Sequence, residues 1–508
     1  MNFQKKIKTL NELKQISKEK KKDGKKITLC HGTFDLLHIG HVRHFQQAKK
    51  TGDILIVTIT ADQFVVKGPD RPYFTENLRA EMIASLTYID YVAIIEDFTA
   101  IPSIESIKPN FYVKGSDYKN QDEDMTGKIK NEVECVKKNS GKLIITEDII
   151  FSSSNLINKH FRSADEELEK LLDNVKKKGG FTYFEEKIED IYSKKILFIG
   201  ETIIDEYVYV DSLGKASKES IIAQHFNTNE IFAGGVIAAA KHTANFCKNV
   251  RILTTFGSND NYLDFVKKSV PKNIKLIYEK LKNKPTTRKQ RFVDRSYLRK
   301  MSEIYYMDDS PLKNDEENQF ISHLEKNLKW ADVVIVTDFG HGLMNTQIIE
   351  KIEENAKFLS VNVQTNSSNR GYNLFTKYQK ANFLCIDEPE LRLATQQKFA
   401  PVNEILKHIE ELIDCKHFIV THGKYGCIVK DNNNFINKVP ALVTNIIDSV
   451  GAGDAFLAIT SPFVASGLPM SEVGILGNIA GAIKVNIIGH RFSVDKITFM
   501  KYLKTLLK

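Results

Sequence analysis

Two histidines three residues apart, His38 and His41, close the stretch Leu29-Cys30-His31-Gly32-Thr33-Phe34-Asp35-Leu36-Leu37-His38-Ile39-Gly40-His41. It reads as an apolar strand, a glycine turn and the opening of a helix. A helix start offers free N–H groups and the positive end of the helix dipole, so its amides are expected to point at an anion, and Gly32 lets the backbone come close. The spacing lets both imidazoles face that same anion. Two imidazole donors on an α-phosphate would stabilise the charge that builds as pyrophosphate leaves, and no protein nucleophile is needed. The competing readings are a metal-binding pair and ordinary polar surface; the length of the surrounding pattern favours the phosphate.

A second group of reactive types lies in Asp448-Ser449-Val450-Gly451-Ala452-Gly453-Asp454-Ala455-Phe456, ahead of an apolar helical run from Phe456 to Val464. Glycines before a helix expose amides to phosphate. Asp454 is placed to take a proton from an attacking hydroxyl while the amides of Gly451, Ala452 and Gly453 stabilise the transferring phosphoryl group. That is the layout of a small-molecule kinase.

The elements that must hold these residues alternate. The periodicity predicts strands at 27–30, 54–60, 91–95 and 111–113, with helices at 40–50, 76–87 and 101–107 between them. Such alternation implies a parallel sheet with helices on both faces. A charged helical stretch at 165–178 and Gly179-Gly180 mark a boundary, so a first domain over 1–163 and a linker over 164–193 are expected. A new apolar strand at 196–199 opens a second, larger α/β domain over 194–508, with further strands at 250–254, 333–336, 358–361, 383–386 and 418–421.

Composition sets outer bounds. A chain of 508 residues exceeds one hydrophobic core. The excess of 72 Lys and Arg over 64 Asp and Glu gives a net charge of +8, thinly spread, which suits small anionic substrates better than nucleic acid. Six scattered cysteines without a CxxC pair argue against a disulfide framework or a structural zinc site. With no apolar run of membrane-spanning length and no signal-peptide pattern, the cytoplasm is the expected compartment and no membrane partner is expected.

The first segment resembles the cytidylyltransferase-like nucleotidylyltransferases with their HxGH signature. Within them it looks closest to the transferase half of the bifunctional heptose-phosphate kinase/nucleotidylyltransferases. The matching pieces are Ala48-Lys49 with Gly52-Asp53, Lys67-Gly68 with Arg71-Pro72, Arg79, Lys114-Gly115-Ser116-Asp117-Tyr118 and Ser152-Ser153-Ser154-Asn155-Leu156-Ile157. The resemblance implies a Rossmann-like domain in which Thr33, Phe34, His38, Gly40 and His41 hold the triphosphate and Lys67 reaches phosphates or acceptor. It also implies that Ser153 and Ser154 close over the β- and γ-phosphates, with Lys114 and Asp117 at the carboxyl end of a strand beside the nucleotide. Glu147 and Asp148 stand where glycerol-phosphate cytidylyltransferases carry an arginine, which weakens that reading.

The second segment resembles the ribokinase (PfkB) family of carbohydrate kinases. Beyond the Gly451–Asp454 turn, Ile199-Gly200-Glu201 through Asp205 resembles the opening strand with its sugar-binding aspartate, Gly234-Gly235 the glycine pair under the sugar, and Thr421 to Gly426, with Gly423, the loop before the nucleotide. The family's Asn-x-x-Glu, which helps organise magnesium, reads Asp387-Glu388-Pro389-Glu390 here, so Asp387 and Glu390 become the metal candidates. Two departures touch the sugar pocket: Ala238 replaces an asparagine, and Asn362-Val363-Gln364-Thr365 stands where the heptose kinases show Asp-Pro-Lys-Gly.

Together these resemblances imply consecutive steps, phosphorylation of a sugar and then its activation to an ADP- or CDP-linked product with release of pyrophosphate, for surface polysaccharide. Mg2+ would serve both sites, with ATP and/or CTP as substrates, a sugar or polyol phosphate as the small-molecule partner, and a homo-oligomer as the assembly. The heptose enzymes carry the kinase first, whereas the order here is reversed. The alternatives are a CTP-dependent polyol-phosphate cytidylyltransferase with a silent kinase-like domain, and a sugar or nucleotide sensor in which His38, His41 and Asp454 are all idle.

Overall fold

The computed structural model of the chain describes residues 3–65, 71–115, 128–146, 166–443 and 446–507. Contacts divide it into two compact units, Met1–Ala164 with Met500–Leu506 and Lys508, and Asp165–Phe499 with Leu507. Both are α/β, as the alternation of apolar strands and amphipathic helices implies.

The first unit is built on a five-stranded sheet in the order β3-β2-β1-β4-β5, with β1 Ile27–Gly32, β2 Ile54–Thr60, β3 Tyr91–Ile95, β4 Phe111–Lys114 and β5 Lys142–Ile145. Every pairing is parallel. One face buries Phe45 and Ala48 of the helix Ile39–Lys49 and Ile83 of the helix Glu76–Ala84. The other buries Leu13, Ile104 and Val136 from the helices Leu10–Lys22, Ile101–Ile107 and Lys128–Lys138. The winding of the sheet reverses between β1 and β4, the position at which open α/β sheets form a crevice at the carboxyl ends of their strands, and His31 to His41 emerge there.

The loop after β1 is fixed by two buried charges. Arg79 is fully buried and its guanidinium donates to the carbonyls of Phe74 (2.9 Å), Thr33 (2.6 Å) and Thr60 (2.9 Å) and to Asp62 (2.5 Å). Asp35 accepts from the amides of Tyr73 (2.6 Å) and Phe74 (3.2 Å) and from Arg71 (3.1 Å).

The second unit carries a nine-stranded sheet in the order β10-β9-β6-β13-β14-β15-β16-β17-β18. Its strands are β6 Lys195–Gly200, β9 Asn249–Gly257, β10 Ile274–Leu281, β13 Val333–Asp338, β14 Leu359–Val363, β15 Lys380–Asp387, β16 Asp414–Thr421, β17 Cys427–Lys430 and β18 Ile436–Val439. It is parallel as far as β16 and antiparallel through β17 and β18. The helix Ala452–Val464 is buried along its whole length from Asp454 onward, as a helix predominantly apolar on all sides must be.

A separate four-stranded sheet in the order β12-β11-β7-β8 is made by the hairpin of β7 Thr202–Lys215 and β8 Ile222–Gly235 with β11 Thr287–Asp294 and β12 Lys300–Tyr306. The sequence reading lacks these strands. The charged stretch read as a linker folds as two helices, Glu166–Lys177 and Phe181–Asp190, which bury Leu168, Leu172, Phe184 and Ile188. Both Lys178 (2.5 Å) and the Tyr183 hydroxyl (2.7 Å) reach the buried Glu472 of the second unit.

Replacing Arg79 by Met leaves the Thr33, Thr60 and Phe74 carbonyls without their donor. A loss of about 3 kcal/mol is expected, read in urea from the hydrogen-exchange protection of β1 and β2. Protection equal to wild type would contradict the clamp.

Candidate active sites

The first site is assembled at the turn from β1 into the helix Ile39–Lys49. His38 is the N-cap of that helix, in an extended conformation, and its Nδ1 accepts the Gly40 amide at 3.1 Å. This bond fixes the neutral tautomer, because a ring nitrogen that accepts cannot carry the proton, so Nε2 carries it. Burial lowers the His38 pKa, which keeps the ring neutral and Nε2–H a donor. The His38 and His41 rings stack with centroids 3.9 Å apart and 21° between planes, so the structure does bring the pair together. Phe34, with a φ of +49°, sets its ring edge-on to His41 at 5.3 Å and covers Gly32.

The helix-start amides are committed elsewhere. Gly40 donates to the His38 ring, while the amides of His41 (2.9 Å) and Val42 (3.2 Å) both donate to the His38 carbonyl. In this structure the amides of Gly40, His41 and Val42 are all bonded within the turn, and Gly40 orients the His38 ring.

Lys114 ends β4, but its ammonium lies inside. It pairs with the buried Glu132 at 3.3 Å and donates to the His31 carbonyl at 3.4 Å. Burial pushes the Glu132 carboxyl up, yet Lys114, the Ala100 amide and the Tyr112 hydroxyl outweigh it and hold its pKa below the usual value. Thr33 contributes its carbonyl to the Arg79 clamp. Lys67, Asp117, Ser153 and Ser154 lie outside the described residues.

The second site is a cavity of about 520 Å³ in the second unit, between the carboxyl ends of the nine-stranded sheet and the four-stranded sheet. Asp205, Gly235, Asp387, Glu390, Gly423, Gly451, Ala452, Gly453 and Asp454 all line it, so most of the residues singled out in this half of the sequence are brought together. Gly451 has a φ of +75°, and a side chain there would meet His490 Cε1 at 2.5 Å. Gly234 stands behind the wall, where any Cβ would overlap the Asp205 carboxylate.

Asp454 is buried, and burial raises its pKa to about 6. Gln364 Nε2 donates to its Oδ1 at 2.9 Å, which orients the carboxylate. Asp205 is ion-paired with Arg291 and lies 3.4 Å from His490. Burial pushes the Asp205 carboxyl up, but Arg291 and His490 overcome it and hold the group well below the usual carboxylate range. Asp205 is thus a charge already spoken for, and the further lining groups Lys289, Arg291, Glu303, Tyr305 and His490 are ones that motif reading missed.

The family model for pfkB family carbohydrate kinases matches residues 193–497, more than half of the chain. The chain belongs to that family. Ahead of this part, a cytidylyltransferase-like model matches residues 29–160. Among curated proteins, the chain is 45% identical over 118 residues to Bifunctional protein HldE of Nitratiruptor sp., which is 23% of this chain and 26% of that protein. It is 39% identical over 165 residues to Bifunctional protein HldE of Geobacter metallireducens, 32% of each chain. The chain thus spans about a third or less of the length of these relatives. Among solved structures, ribokinase from Thermotoga maritima aligns at 20% identity with a TM-score of 0.48, over 61% of this chain and 99% of that one.

In the pfkB unit the metal candidates cap a helix. Asp387 accepts the Glu388 amide at 3.0 Å and the Thr421 hydroxyl at 3.1 Å, while Glu390 accepts the amides of Asp387 at 3.0 Å and Thr365 at 2.9 Å. Burial raises both, Glu390 to about 7. Two carboxylates on the cavity wall, Glu390 half-buried and Asp387 exposed, suit Mg2+, which takes one or two carboxylates and completes its shell with phosphates and water. No cluster of three or more His, Cys, Asp or Glu able to hold a metal occurs among the described residues. None of their helices is long and apolar enough to cross a membrane.

The His38 geometry is checked by nitrogen NMR of the imidazoles. The Nε2-protonated tautomer and a pKa below the ordinary histidine value are expected; an Nδ1-protonated ring would break the assignment.

Proposed function

We propose that the chain is a bifunctional sugar kinase and nucleotidylyltransferase. It phosphorylates a heptose-like sugar and then couples the sugar phosphate to a nucleotide, giving an ADP- or CDP-linked sugar and pyrophosphate for surface polysaccharide. The observation that carries this reading is the occurrence, on one chain, of the stacked His38/His41 pair behind β1 and of Asp454 beside the Gly451–Gly453 turn. The similarity to proteins named Bifunctional protein HldE supports it. The domain order would be the reverse of that of the heptose enzymes, with the transferase over 1–163 and the kinase over 194–508.

In the kinase step the Asp454 carboxylate accepts the proton of the attacking hydroxyl, and the helix-start amides at Gly453 and Asp454 receive charge on the transferring phosphoryl group. Asp205 and its Arg291 and His490 partners orient the sugar. Asp387 and Glu390 would hold Mg2+, which neutralises phosphate charge. In the transferase step His38 Nε2–H and His41 donate to the α-phosphate as the sugar phosphate oxygen attacks and pyrophosphate departs. The transferase would likewise use Mg2+ with its triphosphate.

The test is a matrix of nucleoside triphosphates against hexose and heptose phosphates, scored by pyrophosphate release and product mass, with ADP formation from free sugars and sugar phosphates as the kinase arm. His38→Ala is expected to lower pyrophosphate release by about 10²- to 10³-fold with kinase activity retained. Asp454→Asn is expected to lower ADP formation by about 10²- to 10⁴-fold with the transferase retained. No pyrophosphate with any pair would remove the transferase, and no ADP with any acceptor would remove the kinase. The pH profile carries a sign: the Asp454 pKa is raised from 3.8 to about 6, so its proton stays on until that pH. Kinase turnover should therefore fall as pH drops through about 6, where a carboxylate at its ordinary pKa would keep the rate flat.

A further inference from the structure

Beneath the Gly451–Asp454 turn lies a lysine that the reading above does not use. Lys484 ends the helix Met470–Lys484 and is wholly buried. Lysine is almost never fully buried unless paired. Here its Nζ donates to three backbone carbonyls, Val450 at 2.7 Å, Gly489 at 2.8 Å and Ile487 at 3.4 Å.

The opposite charge holds the same residues by their other ends. Asp448 accepts the amides of Val450 at 3.1 Å and Gly489 at 2.8 Å, together with the Tyr207 hydroxyl at 2.7 Å and the Lys300 ammonium at 2.8 Å. Val450 and Gly489 are thus gripped at N–H by an anion and at C=O by a cation. Each precedes a residue of the cavity wall. Gly451 opens the turn, and His490 reaches Asp205.

We infer that Lys484 is a positioning residue for phosphoryl transfer. It turns the Val450 and Gly489 carbonyls away from the cavity so that the helix-start amides stay aimed into it, and it sets a fixed positive charge behind them. This rests on the kinase reading given above. The carbonyl dipoles would otherwise be free to rotate toward the anion and oppose it. Burial lowers the lysine's pKa to about 8, with Asp448, Asp454 and Asp205 drawing it back up, so the ammonium form persists at neutral pH.

Calorimetry on the full-length protein with MgATP and MgADP as probes tests this. Wild type is expected to prefer MgATP, because the turn grips the terminal phosphate. Lys484→Met should lose about tenfold in MgATP affinity with MgADP binding nearly unchanged, and added ammonium chloride, which fits the vacated carbonyl ring, should restore the preference where tetramethylammonium does not. Lys484→Gln keeps hydrogen-bond donors without the charge; it guards against a Met variant that fails to fold and should lose the same preference. A wild-type preference in the Gln variant, or equal losses for both nucleotides without ammonium rescue, would overturn the inference. Wild type that binds no MgATP at all would instead overturn the kinase reading itself.

Discussion

A carboxylate can stay charged in a buried cavity only where opposite charge or aligned dipoles are fixed against it. The floor of the pfkB unit obeys that constraint residue by residue. Asp205 has Arg291 and His490, and Asp448 has Lys300, Tyr207 and two amides. Burial pushes Asp448 up, and those partners pull it below the usual value. Asp454 has a neutral hydrogen-bond donor, Gln364, and no bonded cation, and it alone of the three is raised. The contrast is electrostatic: their partners hold Asp205 and Asp448 as anions, whereas burial makes Asp454 keep its proton to a higher pH.

The first unit meets the same constraint by a different route. Two imidazoles stacked at 3.9 Å cannot both be charged without strong repulsion, and the Gly40 amide bond keeps His38 neutral. A neutral ring that donates through Nε2 can meet a phosphate without first losing a proton to it. The helix start pays for this arrangement with its own Gly40 amide, which is bonded to the His38 ring.

Much of this was legible in the residues. Strands β2 and β3 fall at the residues that periodicity picks, because runs such as Ile54 to Thr60 are buried on both sheet faces and read as continuous apolar segments. The Gly451–Asp454 turn and Asp387/Glu390 meet in one cavity, as their motifs imply. The four-stranded sheet was illegible for a physical reason. β8 runs Gln224-His225-Phe226-Asn227-Thr228-Asn229-Glu230 through its middle, largely exposed, and only pairing with β7 makes it a strand. The ion pair of Lys114 was illegible for another reason: its partner, Glu132, lies on a helix that no local pattern connects to β4.

The stretch Asn362-Val363-Gln364-Thr365, a departure from the pattern of the heptose kinases, ties the reacting groups together. Gln364 donates to Asp454, the Thr365 amide donates to Glu390, and the Asn362 side chain donates to the Cys385 carbonyl at 2.7 Å, beneath Asp387. The candidate base and a candidate metal ligand are therefore aligned from adjacent residues at the end of β14. Where the resembling kinases carry a lysine, a cation bonded to Asp454 would hold the carboxyl low and make it a weaker base. An amide in that place orients Asp454 without stabilising its charge, so burial sets the pKa and leaves it near 6, close to the range where proton acceptance is most effective.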